Sequence, residues 1–243
     1  MIVSHRHRFI FLRTEKTAGT SLFEALLSLL GPEDLVADMA RPAWARYSPI
    51  HHGALKRTIP DLFGLHVHAT AAQARRVLGR RVFDGYFKFA VERNPWDRQL
   101  SLYHHRCWKT GRTPNFEADM ASRWYRNTEY CRLNNWAMYA IGNSVVADRV
   151  LRYETLGGEL ERLWAVLGVT PPDMPRRRAE YRAARPHYSH AYGPASRALV
   201  ARWYGREIAA LGYRFETGPA AGADGTPPNP HDPAAPFAAF DDA

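Results

Sequence analysis

Cysteine is scarce in this chain. Cys107 and Cys131 stand alone, with no CxxC spacing and no histidine pair beside either, so neither a disulfide framework nor a zinc site is indicated and both read as ordinary thiols. Long apolar runs are also missing: beyond the opening Met-Ile-Val-Ser-His-Arg-His-Arg, only Phe9, Ile10, Phe11, Leu12 and the separate Leu22 follow, too few for a secretory signal or a membrane span. The expected setting is therefore the cytoplasm. Positive charge is absent from the last stretch, residues 218–243, which holds four aspartates and no lysine or arginine. Rich in Pro, Gly and Ala and almost without branched apolar residues, that tail offers too little surface to offset its ordering entropy and is expected to be disordered.

What is present is a body, residues 1–217, with enough apolar side chain for one catalytic domain: the 243-residue chain is 46% hydrophobic. The formal charge of +9 becomes about +13 once the acidic tail is set aside, so the body attracts polyanions, whether nucleic acid, anionic polysaccharide or a nucleotide with several phosphates. Charge alone does not choose among them. The arginines are scattered and not interleaved with aromatics in a binding motif, which argues against nucleic acid as the partner.

A short β-prone segment, Arg8 to Leu12, leads through a polar loop into a helix-patterned run from Ser21 to Leu30. The order repeats: Tyr86 to Val91 reads as a buried strand, Arg93 and Asn94 as a turn, and Pro95 to Trp108 as a helix with Asn94 as N-cap, Pro95 at its first position and Asp97 in its first turn. Arg149 to Tyr153 suits another strand, Leu156 to Leu167 a helix stopped by Gly168, and Ser196 to Leu211 a last helix. Alternating strands and helices predict an α/β fold: a P-loop-like three-layer sandwich with a mainly parallel central sheet flanked by helices, its ligand beyond the carboxyl ends of the strands.

Both polar loops lie at such ends. Lys16-Thr17-Ala18-Gly19-Thr20-Ser21 sets a cation, small residues that bare backbone N–H groups, and hydroxyls at a helix N-terminus, which makes an anion cradle. A Walker A loop would carry its lysine after the last glycine, whereas Lys16 precedes Gly19, and no acidic strand end is placed to hold magnesium. A P-loop kinase or NTPase and a non-catalytic polyanion-binding protein are the alternatives that this reading leaves behind.

The stretch from Phe9 to Ser21 resembles the 5′-phosphosulfate loop of sulfotransferases, usually PKTAGTS, and Phe89 to Tyr103, with Glu92-Arg93-Asn94-Pro95 at its heart, resembles their 3′-phosphate segment. Leu151-Arg152-Tyr153-Glu154-Thr155-Leu156 and Leu211-Gly212-Tyr213-Arg214-Phe215 extend the likeness over residues 8–216, closest to the carbohydrate branch in a soluble bacterial form. The resemblance implies transfer of a sulfuryl group from 3′-phosphoadenosine 5′-phosphosulfate to a hydroxyl acceptor, a glycan or a small molecule, with no metal. It implies that Lys16 neutralises the leaving oxygen, that residues 17 to 21 hold the 5′-phosphate, and that Arg93 and Ser101 bind the 3′-phosphate. Arg185 and Tyr188 fall where the family's C-terminal loop covers the nucleotide. One departure stands out: Glu15 replaces the proline expected before the lysine, and its carboxylate should point outwards or pair with Arg13, because turned inwards it would repel the phosphates.

For the base, Gly64-Leu65-His66-Val67-His68-Ala69 resembles the His-x-His segment of the 2-O-sulfotransferase relatives, and His68 is the first choice with His66 orienting it. On an extended strand the two would share a face, about 6 to 7 Å apart. His51, His52 and Glu15 are the rival bases.

Overall fold

The computed structural model describes residues 1–17, 19–37, 47–49 (backbone only), 65, 67–128, 131–174 and 186–218. Contacts divide the chain into two compact units, Met1–Arg93 with Asn134–Arg176 and Asn94–Leu133 with Arg177–Ala243.

The first unit is built on a six-stranded sheet in the order β4-β3-β1-β2-β5-β8, where β1 is Ile2–Ser4, β2 Phe9–Phe11, β3 Leu35–Ala37, β4 Tyr47–Pro49, β5 Phe87–Glu92 and β8 Arg149–Arg152. A separate hairpin pairs β6 (Ala140–Ile141) with β7 (Ser144–Val145). The sheet is mixed, not mainly parallel: β2, β5 and β8 run parallel, whereas β1 pairs antiparallel with β2 and β3, and β3 with β4. The reason is the chain length available. Only residues 5–8 join β1 to β2, enough for a hairpin but far short of a crossover.

Buried Asp34 fastens that hairpin. Its carboxylate accepts from the Ser4 hydroxyl at 2.9 Å, the Arg6 N–H at 3.0 Å and the Gly31 N–H at 2.9 Å, and from the His5 N–H as well. Helix α1 (Gly19–Leu27) and helix α7 (Leu156–Leu167) set Leu22, Phe23, Leu26, Leu160, Leu163 and Trp164 against the sheet residues Ile2, Phe9, Phe11, Phe89, Val91 and Leu151. The alternate strand positions Val3, Ile10, Ala90 and Lys88 are buried too, so both faces of the strands are covered. Helix α2 (Ala71–Gly85) starts at a capping box, Thr70 with Gln73, and kinks at Gly79, whose φ of +74° no ordinary helical residue adopts. Helix α7 stops at Gly168, left-handed as its sequence predicts.

The second unit is helical. Helix α3 (Pro95–Thr110) begins as read from sequence, with the Asn94 side chain accepting from the Trp96 N–H at 3.2 Å, and ends at left-handed Gly111. Helices α4 (Phe116–Ala121) and α5 (Arg123–Arg126) follow in this unit, and α6 (Trp136–Tyr139) returns to the first. The single helix expected over 196–211 is two, α8 (Pro194–Trp203) and α9 (Gly205–Leu211), broken at Tyr204. A tertiary tie explains the break: the buried Tyr204 hydroxyl donates to Gln99 Oε1 at 2.6 Å and accepts from the Leu133 N–H at 3.1 Å, and Gly205 follows with little helix preference. The core joins Trp96, Tyr103, Phe116, Tyr125, Leu199 and Tyr204. Within it, the Arg98 guanidinium sits 3.5 Å from the Glu207 carboxylate and over the Tyr204 ring, with both charged side chains almost wholly buried. No described helix is long and apolar enough to cross a membrane.

Removing one partner of a buried pair strands the other charge. Glu207→Ala should therefore cost about 3 to 5 kcal/mol in urea unfolding, while the apolar double replacement R98M/E207L should lose far less than the sum of the single changes. A loss under about 1 kcal/mol for Glu207→Ala would show that the pair is not needed.

Candidate functional site

Parallel neighbours bring their carboxyl ends to the same edge of a sheet, and β2 and β5 do so here. The pairing outlasts β2: the Leu12 N–H donates to Phe89 C=O at 2.8 Å, and the Thr14 hydroxyl donates to Val91 C=O. The loop after β2 is thereby laid along the end of β5. Thr17, buried, has its hydroxyl 2.8 Å from that of Thr14, so this side chain knits the loop together. Arg13 folds back over the loop, donating to the Thr20 hydroxyl at 3.0 Å and lying 4.7 Å from the centre of the Phe23 ring. A Cβ on Gly19 would meet the Arg13 side chain at 3.3 Å, a tight contact to which Arg13 would have to yield. Ala18 lies outside the described residues.

Lys16 is half-buried and left-handed, with φ of +59°. Such a conformation costs a lysine about 1 to 2 kcal/mol and is typically held in place at working sites. Arg93, the first residue after β5, donates to the Lys16 C=O at 3.5 Å and stacks its guanidinium 4.6 Å from the Tyr153 ring centre, beyond the end of β8. The two motif segments read from the sequence are thus brought together at Lys16 and Arg93.

The departure at Glu15 has a structural counterpart that the sequence reading missed. Asn135, wholly buried, grips the Glu15 backbone twice: its Oδ1 accepts the Glu15 N–H at 3.1 Å, and its Nδ2 donates to the Glu15 C=O at 3.0 Å. Proline has no N–H and could make only half of this clasp. The same amide donates to Glu92 Oε1 at 3.4 Å, and that oxygen accepts the Arg93 N–H at 2.9 Å. One side chain therefore spans the lysine loop and the arginine segment. Asn135 is also the N-cap of α6 yet makes no capping bond, because its amide is committed to the loop. The available signal was the departure itself, since a non-proline before Lys16 carries a backbone N–H that needs a partner.

His68 is half-buried in a turn between Leu65 and the Thr70 cap, not on the extended strand expected. The turn places His68 Nδ1 3.0 Å from the Arg13 carbonyl. A carbonyl only accepts, so Nδ1 carries the hydrogen, and in the neutral ring the lone pair belongs to Nε2. His66, His51, His52 and Arg185 lie outside the described residues.

Ser101 lies on α3 in the second unit, partly buried. Tyr188 belongs to that unit's core: its hydroxyl accepts from the Glu216 N–H at 2.7 Å and from Asn94 Nδ2 at 3.4 Å, and burial pushes its pKa up to about 12. Burial also raises the Cys107 and Cys131 thiols, so both stay protonated near neutrality. Among the described residues, no group of three or more His, Cys, Asp or Glu side chains could hold a metal ion.

Asn135→Ala leaves two backbone groups and a carboxylate without this partner, and should destabilise the chain by about 2 to 4 kcal/mol at 1 to 3 kcal/mol per buried group. Glu15→Pro removes one of the same bonds, so a double-mutant cycle by urea unfolding should find the pair of changes less than additive by more than about 0.5 kcal/mol. Strict additivity would mean that the clasp contributes nothing.

Comparison with curated proteins and with solved structures gives no match. The family model described as Sulfotransferase family matches residues 1–144, well over half of the chain and inclusive of the Lys16 loop, His68, Arg93 and Asn135. The chain belongs to the sulfotransferase family.

Proposed function

We propose that this protein transfers a sulfuryl group from 3′-phosphoadenosine 5′-phosphosulfate to a hydroxyl of a carbohydrate, as a membrane-free cytoplasmic enzyme of a bacterial type. The observation that carries the reading is the meeting of Lys16 and Arg93 at the ends of two parallel strands, one cation on each of the loops that the resemblance assigns to the 5′ and 3′ ends of the donor. The residues present suit such a donor: a left-handed lysine, and a glycine close under Arg13 that opens helix α1, whose first N–H groups are not bonded within the helix. Kinase and polyanion-module readings have no comparable support.

When bound, the donor supplies an activated sulfuryl group, and its transfer to oxygen releases adenosine 3′,5′-bisphosphate. Lys16 meets the charge that grows on the departing phosphate oxygen. The backbone of residues 17 to 21 with the Thr20 and Ser21 hydroxyls holds the 5′-phosphate, Thr20 being oriented by Arg13. Arg93, steadied by Tyr153 and Lys16, offers its planar fork to the 3′-phosphate. Ser101, Arg185 and Tyr188 join the donor site on the strength of the resemblance. His68 takes the acceptor's proton at Nε2 while Nδ1–H stays on the Arg13 carbonyl, the arrangement by which a second partner fixes a catalytic tautomer. The supporting role of His66 is proposed on the resemblance alone.

Adenosine 3′,5′-bisphosphate at about 100 times its dissociation constant should stabilise the fold by about 2.7 kcal/mol, whereas ATP with magnesium should do much less. Equal thermal shifts for the two nucleotides would overturn the donor assignment. Arg93→Ala should weaken bisphosphate binding by about 1.5 to 3 kcal/mol in calorimetry.

His68→Ala should leave bisphosphate affinity near the wild-type value but slow transfer by about 10² to 10⁴, the range for loss of a general base. The wild-type rate should fall as acid protonates the imidazole, and that limb should be missing from the variant. Full turnover in His68→Ala with the limb intact would move the base elsewhere.

A further inference from the structure

Three arginines of the second unit, Arg126, Arg132 and Arg202, surround a cavity of about 370 Å³ whose wall also holds Leu199 and the half-buried Trp203. None of the three makes an ion pair among the described residues. Among the described residues, no acidic side chain lines the cavity. Arg123 and Arg206, exposed and close in sequence to the lining residues, carry the same sign. Like charges gathered in a concavity repel one another and add their fields on whatever enters.

The floor is held in place from below. The Cys131 thiol donates to Arg126 C=O at 3.2 Å, the Gln99 amide donates to Cys131 C=O at 2.8 Å, and Gln99 in turn accepts the Tyr204 hydroxyl at 2.6 Å. Tyr204 follows Trp203 directly, so the turn bearing Arg126 and Arg132 and the end of α8 bearing Arg202 and Trp203 hang from one buried chain of bonds. The protonated thiol leaves the cavity with binding groups and no nucleophile.

We infer that this cavity is a binding site for an anionic saccharide, a sugar ring bearing a sulfate or carboxylate group. Planar guanidinium forks match the paired oxygens of those groups, and the indole of Trp203 offers a flat apolar face to the C–H side of a pyranose ring. The volume falls in the range of small-ligand pockets, whereas a nucleic acid would need an extended basic stripe several times larger. The inference rests on the sugar acceptor of the proposed function: a sulfotransferase acting on saccharides meets sugars that already carry anionic groups, and its own product is one.

The test uses the full chain with ¹⁵N-labelled tryptophan, following the Trp203 indole signal during titration with glucose 6-sulfate, glucuronate, glucose, sodium sulfate and a short single-stranded DNA. Glucose 6-sulfate and glucuronate should move that signal saturably, with glucose and sodium sulfate each at least about ten-fold weaker, a margin of 1.4 kcal/mol. The exposed pair R132Q/R202Q should weaken the charged sugars by about ten-fold or more while keeping the wild-type melting temperature and the wild-type affinity for adenosine 3′,5′-bisphosphate. Glucose binding as well as glucose 6-sulfate, sodium sulfate matching the sugars, tighter binding of the DNA, or sugar binding untouched by R132Q/R202Q would each overturn the inference. Failure of the donor assignment shows separately, as loss of bisphosphate selectivity with the indole response intact.

Discussion

The parallel pairing of β2 with β5 is the constraint on which the meeting of Lys16 and Arg93 depends. The three residues of β2 pair with the first half of the six-residue β5, and the Leu12 and Thr14 bonds lay the loop after β2 along the rest of β5. With the loop laid on β5, Lys16 and Arg93 meet through a backbone carbonyl and not through their own charges, which would repel. The repulsion is managed by placing each cation in a separate setting. Arg93 rests on the Tyr153 ring, and Lys16 is turned by its own backbone.

Asn135 converts that alignment into a fixed distance. Loops of glycine, threonine and alanine have many conformations, and the sulfotransferase motif commonly restrains its loop with a proline. Here the restraint comes from a residue 120 positions away, which reaches the loop backbone on one side and the Glu92 carboxylate on the other. A clasp made by a side chain can loosen if α6 moves, so the order of the loop in this chain is coupled to the packing of Trp136, Met138 and Tyr139.

Local signals carried most of what was legible in the sequence. Asn94-Pro95 and Gly168 mark helix ends by chemistry confined to a few residues, and helices α3 and α7 begin or end where those signals lie. The lysine loop and Arg93 were legible because a motif is also local. What escaped was tertiary. The antiparallel half of the sheet depends on a four-residue connection and on Asp34, thirty positions beyond Ser4, and the break at Tyr204 depends on Gln99 and Leu133. The capping box of Thr70 and Gln73 was itself legible and sets the start of α2 at Ala71, but it says nothing of the turn at His68. Asn135 had no sequence mark of its own, and only the N–H exposed by Glu15 pointed to a missing partner.

Lys16 adopts a backbone conformation that glycine would occupy freely, so the position that supplies the loop's cation is one at which the folded chain bears strain. Under the role proposed for Lys16, chain stability and catalysis pull this residue in opposite directions. Selection for thermal robustness alone would favour glycine at position 16 and remove the proposed catalytic cation, so a laboratory search for stabilised variants needs an activity screen from its first round.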